Sequence, residues 1–146
     1  MTNQSLKEPT IHQFTIDKFL SASDSAKSPL PVHFQIIALN NSYFIWIGTT
    51  PASDQQSTLE TLGSCNQLAV AMACRFGEPS SSTLFRSTLE DPSELFAKRL
   101  ASRMKDQIFV SVNLDSEYSH LFPEIERAVH DRIRIISGTA ESLVER

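Results

Sequence analysis

Tyr43 to Gly48 reads YFIWIG: five large apolar or aromatic residues in succession, closed by a glycine. A strand with one wet face alternates apolar and polar residues at period two. A membrane-spanning helix needs about 20 apolar residues. The segment is too continuous for the first and too short for the second. It predicts a strand covered on both faces, so the rest of the chain, or a partner, must supply two covering layers.

The neighbouring sequence supplies the first strand partner. VHFQIIAL (32–39) reads as a strand, and NNS (40–42) is a turn whose residues tolerate a positive φ. The chain then returns through Tyr43 to Ile47 as the antiparallel arm of a hairpin. Upstream, TIHQFTI (10–16) alternates, with His12, Phe14 and Ile16 on one side, and reads as a strand. Residues 1–9 are polar and are expected to be disordered. Residues 21–31, SASDSAKSPLP, and residues 50–66, polar with Leu59 and Leu62 as their only anchors, are expected to be flexible loops.

LAVAMACRF (68–76) is ambiguous, because its alanines favour helix by intrinsic propensity. Its pattern has period two. Leu68, Val70, Met72, Cys74 and Phe76 fall on one side, Ala69, Ala71, Ala73 and Arg75 on the other. A strand whose alanine side admits a close helix is the expectation. GEPSSS (77–82) reads as a turn and TLFRSTL (83–89) as a short strand. A helix then begins with Asp91 as N-cap, Pro92 at its first position and Glu94 as the third-position carboxylate. Phe96, Leu100 and Met104 form its apolar stripe. QIFVSVNL (107–114) is a last strand with Ile108, Val110, Val112 and Leu114 on one face. A closing helix starts between residues 119 and 123, turns Phe122, Ile125, Val129 and Ile133 inward, and ends at Gly138. Residues 138–146 are expected to be a loose tail. The fold class is α+β: a mostly antiparallel β-sheet with two flanking amphipathic helices, one domain over residues 10–137.

Composition narrows the function classes. The chain has 146 residues, 40% hydrophobic and 21% charged, with a net charge of −4. That balance gives no basic stripe for nucleic acid. No apolar run is long enough to cross a membrane, and MTNQSLKEPT lacks the apolar region of a secretory signal. Cys65 and Cys74 lack metal-ligand spacing and read as reduced thiols, so a cytoplasmic or also nuclear location is expected.

Chemistry-bearing motifs are sparse. The four glycines, at 48, 63, 77 and 138, form no phosphate loop, and no serine sits in a nucleophile elbow. His12, His33, His120 and His130 are scattered. Asp115, Glu117 and His120 follow the last strand, where α/β enzymes often keep polar groups, but a cap or turn role suits them better. No cofactor or metal is expected. Two features point to partners. Trp46 belongs to the residue type most enriched in binding anchors, although its mid-strand position suits core packing equally. Lys98, Arg99 and Arg103, with Lys105, make the one basic cluster on the penultimate helix, a pattern that suits a solvated helix face better than a docking surface.

Read in order, VHFQIIALNNSYFIWIGTTP, NQLAVAMACRF, FAKRLASRMKDQIFVSVNL and the closing amphipathic helix resemble the proteasome assembly chaperone 4 family, over residues 32–133. The connection over residues 52–65 is longer than expected of that family. The resemblance implies a small, non-catalytic α+β protein. It implies a heterodimer with a proteasome assembly chaperone 3-like subunit, which helps to build the alpha-subunit ring of the 20S proteasome and then leaves. The readings from other classes are a small hydrolase-like α+β enzyme using Asp115, Glu117 and His120, and a longin- or roadblock-like scaffold for a small GTPase.

Overall fold

A computed structural model describes residues 7–19, 30–49, 64–89 and 91–144. They fall into two compact units, Met1–Leu114 and Asp115–Arg146. The first unit is built on strands β1 (Thr10–Phe19), β2 (Leu30–Leu39), β3 (Ser42–Thr49), β4 (Leu68–Met72), β5 (Ser80–Phe85) and β6 (Gln107–Asn113), with helix α1 (Ser93–Met104). The second holds a 3-10 helix, Ser116–Leu121, and helix α2 (Phe122–Val144). This is the expected α+β class.

The β2–β3 hairpin forms as its sequence requires. Leu39 pairs with Ser42 across a two-residue turn. Asn41 adopts φ 54, a left-handed conformation that asparagine accepts more readily than most residues. β2 starts at Leu30, so Leu30 and Pro31 belong to the sheet rather than to the expected loop. Pro31 falls where the β1–β2 register shifts, and there its missing N–H breaks no regular ladder. Residues 21–29 and 50–63 of the two expected loops lie outside the described residues.

The described strands form one six-stranded sheet in the order β1-β2-β3-β6-β4-β5. Four of the five pairings are antiparallel and one, β3 with β6, is parallel. The sheet is therefore mixed. A parallel pair needs a crossover, and here the chain between β3 and β6 supplies β4, β5 and α1. β3 thus lies between β2 and β6, with Ile45 and Ile47 fully buried. Beyond the short β4–β6 pairing, which covers Ala69 to Ala71, β6 still has backbone groups to satisfy. The Val112 N–H donates to Ser93 Oγ at 3.0 Å, and the Gln67 side-chain amide donates to the Val112 carbonyl. Both side chains are buried because they finish a ladder that no strand reaches.

One face of the sheet carries Val32, Phe34, Ile36, Ile45, Ile47, Ile108, Val110 and Val112, all buried. Its β4 positions are Ala69 and Ala71, also buried, and α1 lies on β4, β5 and β6 there. The helix contributes Phe96, Ala97, Leu100 and Ala101. Alanine facing alanine lets the two backbones approach closely. LAVAM is accordingly a strand despite its helical propensity, but it stops at Met72 instead of continuing to Phe76. At the outer edge of this face Phe14 stacks on its cross-strand partner Phe34, with ring centroids 4.6 Å apart.

Other boundaries differ from the sequence reading as well. β5 begins at Ser80, within the stretch expected to be a turn, because Gly77 at φ +85 closes the turn earlier. The N-terminus of α1 is shifted too. Asp91 Oδ1 accepts the Ser93 N–H at 2.8 Å, as a capping carboxylate should, but Pro92 occupies the cap position. Glu94 does not reach back to the cap. Its two oxygens instead accept the hydroxyls of Ser81 at 2.8 Å and Thr83 at 2.9 Å, two donors spaced at period two on β5. In the second unit, α2 starts at Phe122 as expected but runs through Gly138 to Val144. An interior glycine costs a helix about 1 kcal/mol relative to alanine, yet it leaves the hydrogen-bond ladder unbroken. Ile125, Val129 and Ile133 are buried as expected, but Phe122 is only half-buried, and the buried residue at that end is Leu121 of the 3-10 helix.

The Ser81 and Thr83 hydroxyls hold the Glu94 carboxyl below its ordinary value of 4.5. A depressed folded-state pKa contributes stability that is complete above the unfolded value and is lost as pH falls through the folded one. Glu94→Gln should therefore be destabilising at neutral pH, by less than about 1 kcal/mol because solvent screens the carboxylate. The gap to the parent should close as pH is lowered below 4.5. Denaturant melts of the two proteins across that range give the measurement.

Candidate interaction face of the sheet

The face opposite α1 is the unusual part of the first unit. Register alone places Ile11 beside Ile37, Ile37 beside Phe44, Phe44 beside Phe109, and Phe109 beside Val70. These five side chains form one row across β1, β2, β3, β6 and β4, about 19 Å long at the ordinary strand spacing. Ile11 is 62% exposed and the other four are half-buried. Met72, 52% exposed, lies on the same face of β4. At the far corner β5 carries one extra residue against β4. Phe85 pairs with Leu68, and both Phe85 and its neighbour Leu84 are exposed.

The row on one side holds Gln13, Gln35, Trp46 and the buried Ser111. On the other side Ser42, Gln107 and Ser80 stand with exposed Leu39 and Met72. An apolar centre with polar residues interspersed around it suits a protein interface, whereas a wet sheet face would be polar throughout.

Trp46 belongs to this face but not to its exposed row. It is almost fully buried, and its indole N–H donates to the Ser64 carbonyl at 3.0 Å. A Cβ on Gly48 would lie 2.4 Å from Trp46 Cη2, so the indole lies flat along its own strand over the glycine. Tyr43, Ile45 and Ile47 face the side of α1, while Phe44, Trp46 and Gly48 face the opposite side. Residues 64–67 are tied across β6 beside the indole. Cys65 Sγ donates to Ser111 Oγ at 3.3 Å, and the Asn66 N–H to Asn113 Oδ1 at 3.2 Å. Asn113 Nδ2 in turn donates to Ser111 Oγ at 2.9 Å. The described end of the expected 50–66 loop is therefore hydrogen-bonded to the sheet.

The basic cluster sits elsewhere, on α1. Lys98 Nζ pairs with Glu78 at 3.1 Å. Arg99 and Arg103 are exposed one turn apart, with exposed Leu95 one turn before Arg99. Trp46 and the cations thus occupy different surfaces. Asp115 and His120 are exposed at the two ends of the 3-10 helix, and the Tyr118 N–H donates to the Asp115 carbonyl at 3.0 Å. Asp115 thereby serves as a turn residue. His33 Nδ1 lies 2.8 Å from the Thr15 hydroxyl, a cross-strand contact at the sheet's β1–β2 end.

The sequence signal for the apolar row was the pairing of adjacent large residues, Ile36-Ile37 and Ile108-Phe109, in strands that a single buried face would have made alternate. Which member of each pair shares a row with Ile11 and Val70 required the register.

The sequence model of "Proteasome assembly chaperone 4" matches residues 31–114. The chain belongs to the proteasome assembly chaperone 4 family. Relatives of that name from Mus musculus and Homo sapiens are each 32% identical over 103 residues, 70% of this chain and 74% of theirs. A chain in the crystal structure of a chaperone complex for yeast 20S proteasome assembly shares the fold. Its TM-score is 0.61 at 13% identity, covering 87% of this chain and 96% of that one. The family match runs from β2 to the residue after β6, so within this assembly-chaperone fold it takes in four of the five residues of the apolar row. Ile11, on β1, lies outside it.

Because the indole has its N–H anchored and little room, Gly48→Ala must displace Trp46. The expected cost is about 1–3 kcal/mol, as for other overpacked sites. A red-shifted tryptophan emission in the folded variant should accompany it, read by fluorescence alongside denaturant unfolding.

Proposed function

We propose that this chain is a non-catalytic subunit of a two-protein assembly chaperone, pairing with a related small subunit of the proteasome assembly chaperone 3 type. The pair promotes formation of the alpha-subunit ring of the 20S proteasome and then departs. The observation that carries the reading is the Ile11–Ile37–Phe44–Phe109–Val70 row, with exposed Leu39 and Met72 beside it. Half-exposed apolar residues in register across five strands are costly to leave in water, at about 25 cal/mol per Å² of apolar surface. An apolar sheet face is suited to a second apolar sheet face, with side chains interleaving at about 10 Å separation.

Membership of a chaperone family supports the non-catalytic role. Contact with an alpha subunit falls on this reading to a different surface. Arg99 and Arg103 form a polar, charged patch suited to a contact that must be reversed. Lys98, paired with Glu78 at 3.1 Å, lies on the same helix. The work is expected in the cytoplasm and the nucleus.

Co-expression with the related subunit should raise the melting temperature, and Phe44→Asp should abolish the heterodimer while leaving the secondary structure by circular dichroism intact. A soluble monomer whose melting temperature is indifferent to the partner would end the reading. Reversal of Lys98, Arg99 and Arg103 together should weaken alpha-subunit binding roughly tenfold and flatten its salt dependence. Calorimetry at two ionic strengths reads both. Pull-down of a GTPase complex in place of proteasome subunits would favour the scaffold alternative.

A further inference from the structure

The sheet face opposite α1 differs from the rest of the surface in charge as well as in its apolar row. Among the described residues, no position that the register assigns to this face is Asp, Glu, Lys or Arg. His33 is the one ionisable side chain on its strands. The chain is 21% charged, so a six-stranded face left in water should carry several Lys or Glu side chains. Those charges stand instead on α1, as Glu94, Lys98, Arg99 and Arg103. Beside the apolar row the polar positions are filled by amides. Gln13 and Gln35 are direct cross-strand partners, the first exposed and the second half-buried. Neither side-chain amide has a hydrogen-bond partner among the described residues. Trp46, next in the row, offers them none, because its N–H is committed to the Ser64 carbonyl.

We infer that this face selects a partner whose meeting surface is itself free of charge, and that the Gln13–Gln35 pair reads that surface through hydrogen bonds to neutral groups. The inference rests on the heterodimer reading above and adds the chemistry by which the related subunit is chosen. A Lys or Glu side chain pressed against the apolar row would lose its water, with no opposite charge on this side to replace it. That penalty excludes the charged outer faces of ordinary sheets and spares a neutral one. The glutamines supply what apolar contact lacks. Greasy faces can slide over one another, but an amide shut into an interface without partners is costly. The seating that gives both amides a donor and an acceptor is therefore favoured over its neighbours. An acidic surface finds its counterpart on α1 instead, at Arg99 and Arg103.

Calorimetry of the full chain with the purified subunit of the proteasome assembly chaperone 3 type gives the test. Between about 0.05 and 0.5 M salt the dissociation constant should change less than about twofold, where a contact built on several ion pairs would weaken about tenfold. Gln35→Glu and Gln35→Lys should each weaken binding roughly tenfold, because a charge of either sign is left unpaired. Gln13→Glu and Gln13→Lys, at the exposed member of the pair, should act in the same direction by about threefold and melt within about 1 °C of the parent, which separates binding from folding. Gln35→Met keeps the length and removes the amide, and should weaken binding about threefold. One sign of charge binding more tightly than the parent would reveal a charged partner surface and overturn the inference. So would a tenfold salt dependence, Gln35→Glu or Gln35→Met binding as the parent does, or a dimer of this chain alone that the subunit does not displace. In the first three cases a heterodimer still forms, and the reading it rests on stands. No complex at either salt would overturn both.

Discussion

The parallel pairing of β3 with β6 is the constraint on which the first unit depends. β3 is apolar on both faces, so it must lie inside a sheet, with a strand on each edge. β2 provides one edge through a two-residue turn. The other edge is filled by a strand far along the chain, and filling it in parallel forces an intervening crossover. That crossover contains the β4–β5 hairpin and α1. The pairing thereby brings the alanine side of β4 under the alanines of α1, and sets Ser93 and Gln67 where β6 runs past the end of β4.

Side-chain size then divides the two faces. On the side of α1, small residues on β4 and on the helix permit close approach, and branched aliphatics fill the rest. Period two obliges the bulky members of the same strands to point the other way, so Val70, Met72, Phe44 and Phe109 arrive on the opposite face together. Trp46 is withdrawn from that set, because Gly48 leaves it space to lie flat and Ser64 accepts its N–H. What remains is an apolar stripe with polar residues interspersed beside it, which suits a surface that binds other proteins. The polar atoms that residues 64–67 and 113 present are largely engaged with one another. They hold the chain against the sheet beside the indole.

Glu94 shows how tertiary context redirects a local signal. Its sequence position suits a capping box, but two hydroxyls on β5 offer both carboxylate oxygens a donor, against the single N–H available at the cap. Gly138 shows the converse. A helix-ending residue in the sequence is passed over, because a glycine weakens a helix without severing it.

The sequence by itself determined the strands, the α1 stripe, the turn at Asn41 and membership of the class, because each rests on periodicity or on a residue's own conformational range. LAVAM was legible as a strand from its period-two pattern, even against its helical propensity. The basic residues of α1 were legible as a surface cluster. Only the tertiary structure decided that Lys98 is engaged by Glu78, that Trp46 is tucked under Ser64, and that Ile11, Ile37, Phe44, Phe109 and Val70 stand in one row. Those facts depend on strand order and register across β1, β2, β3, β6 and β4. Register between distant strands is fixed by the packing of both faces at once, and no local pattern in the chain carries that information.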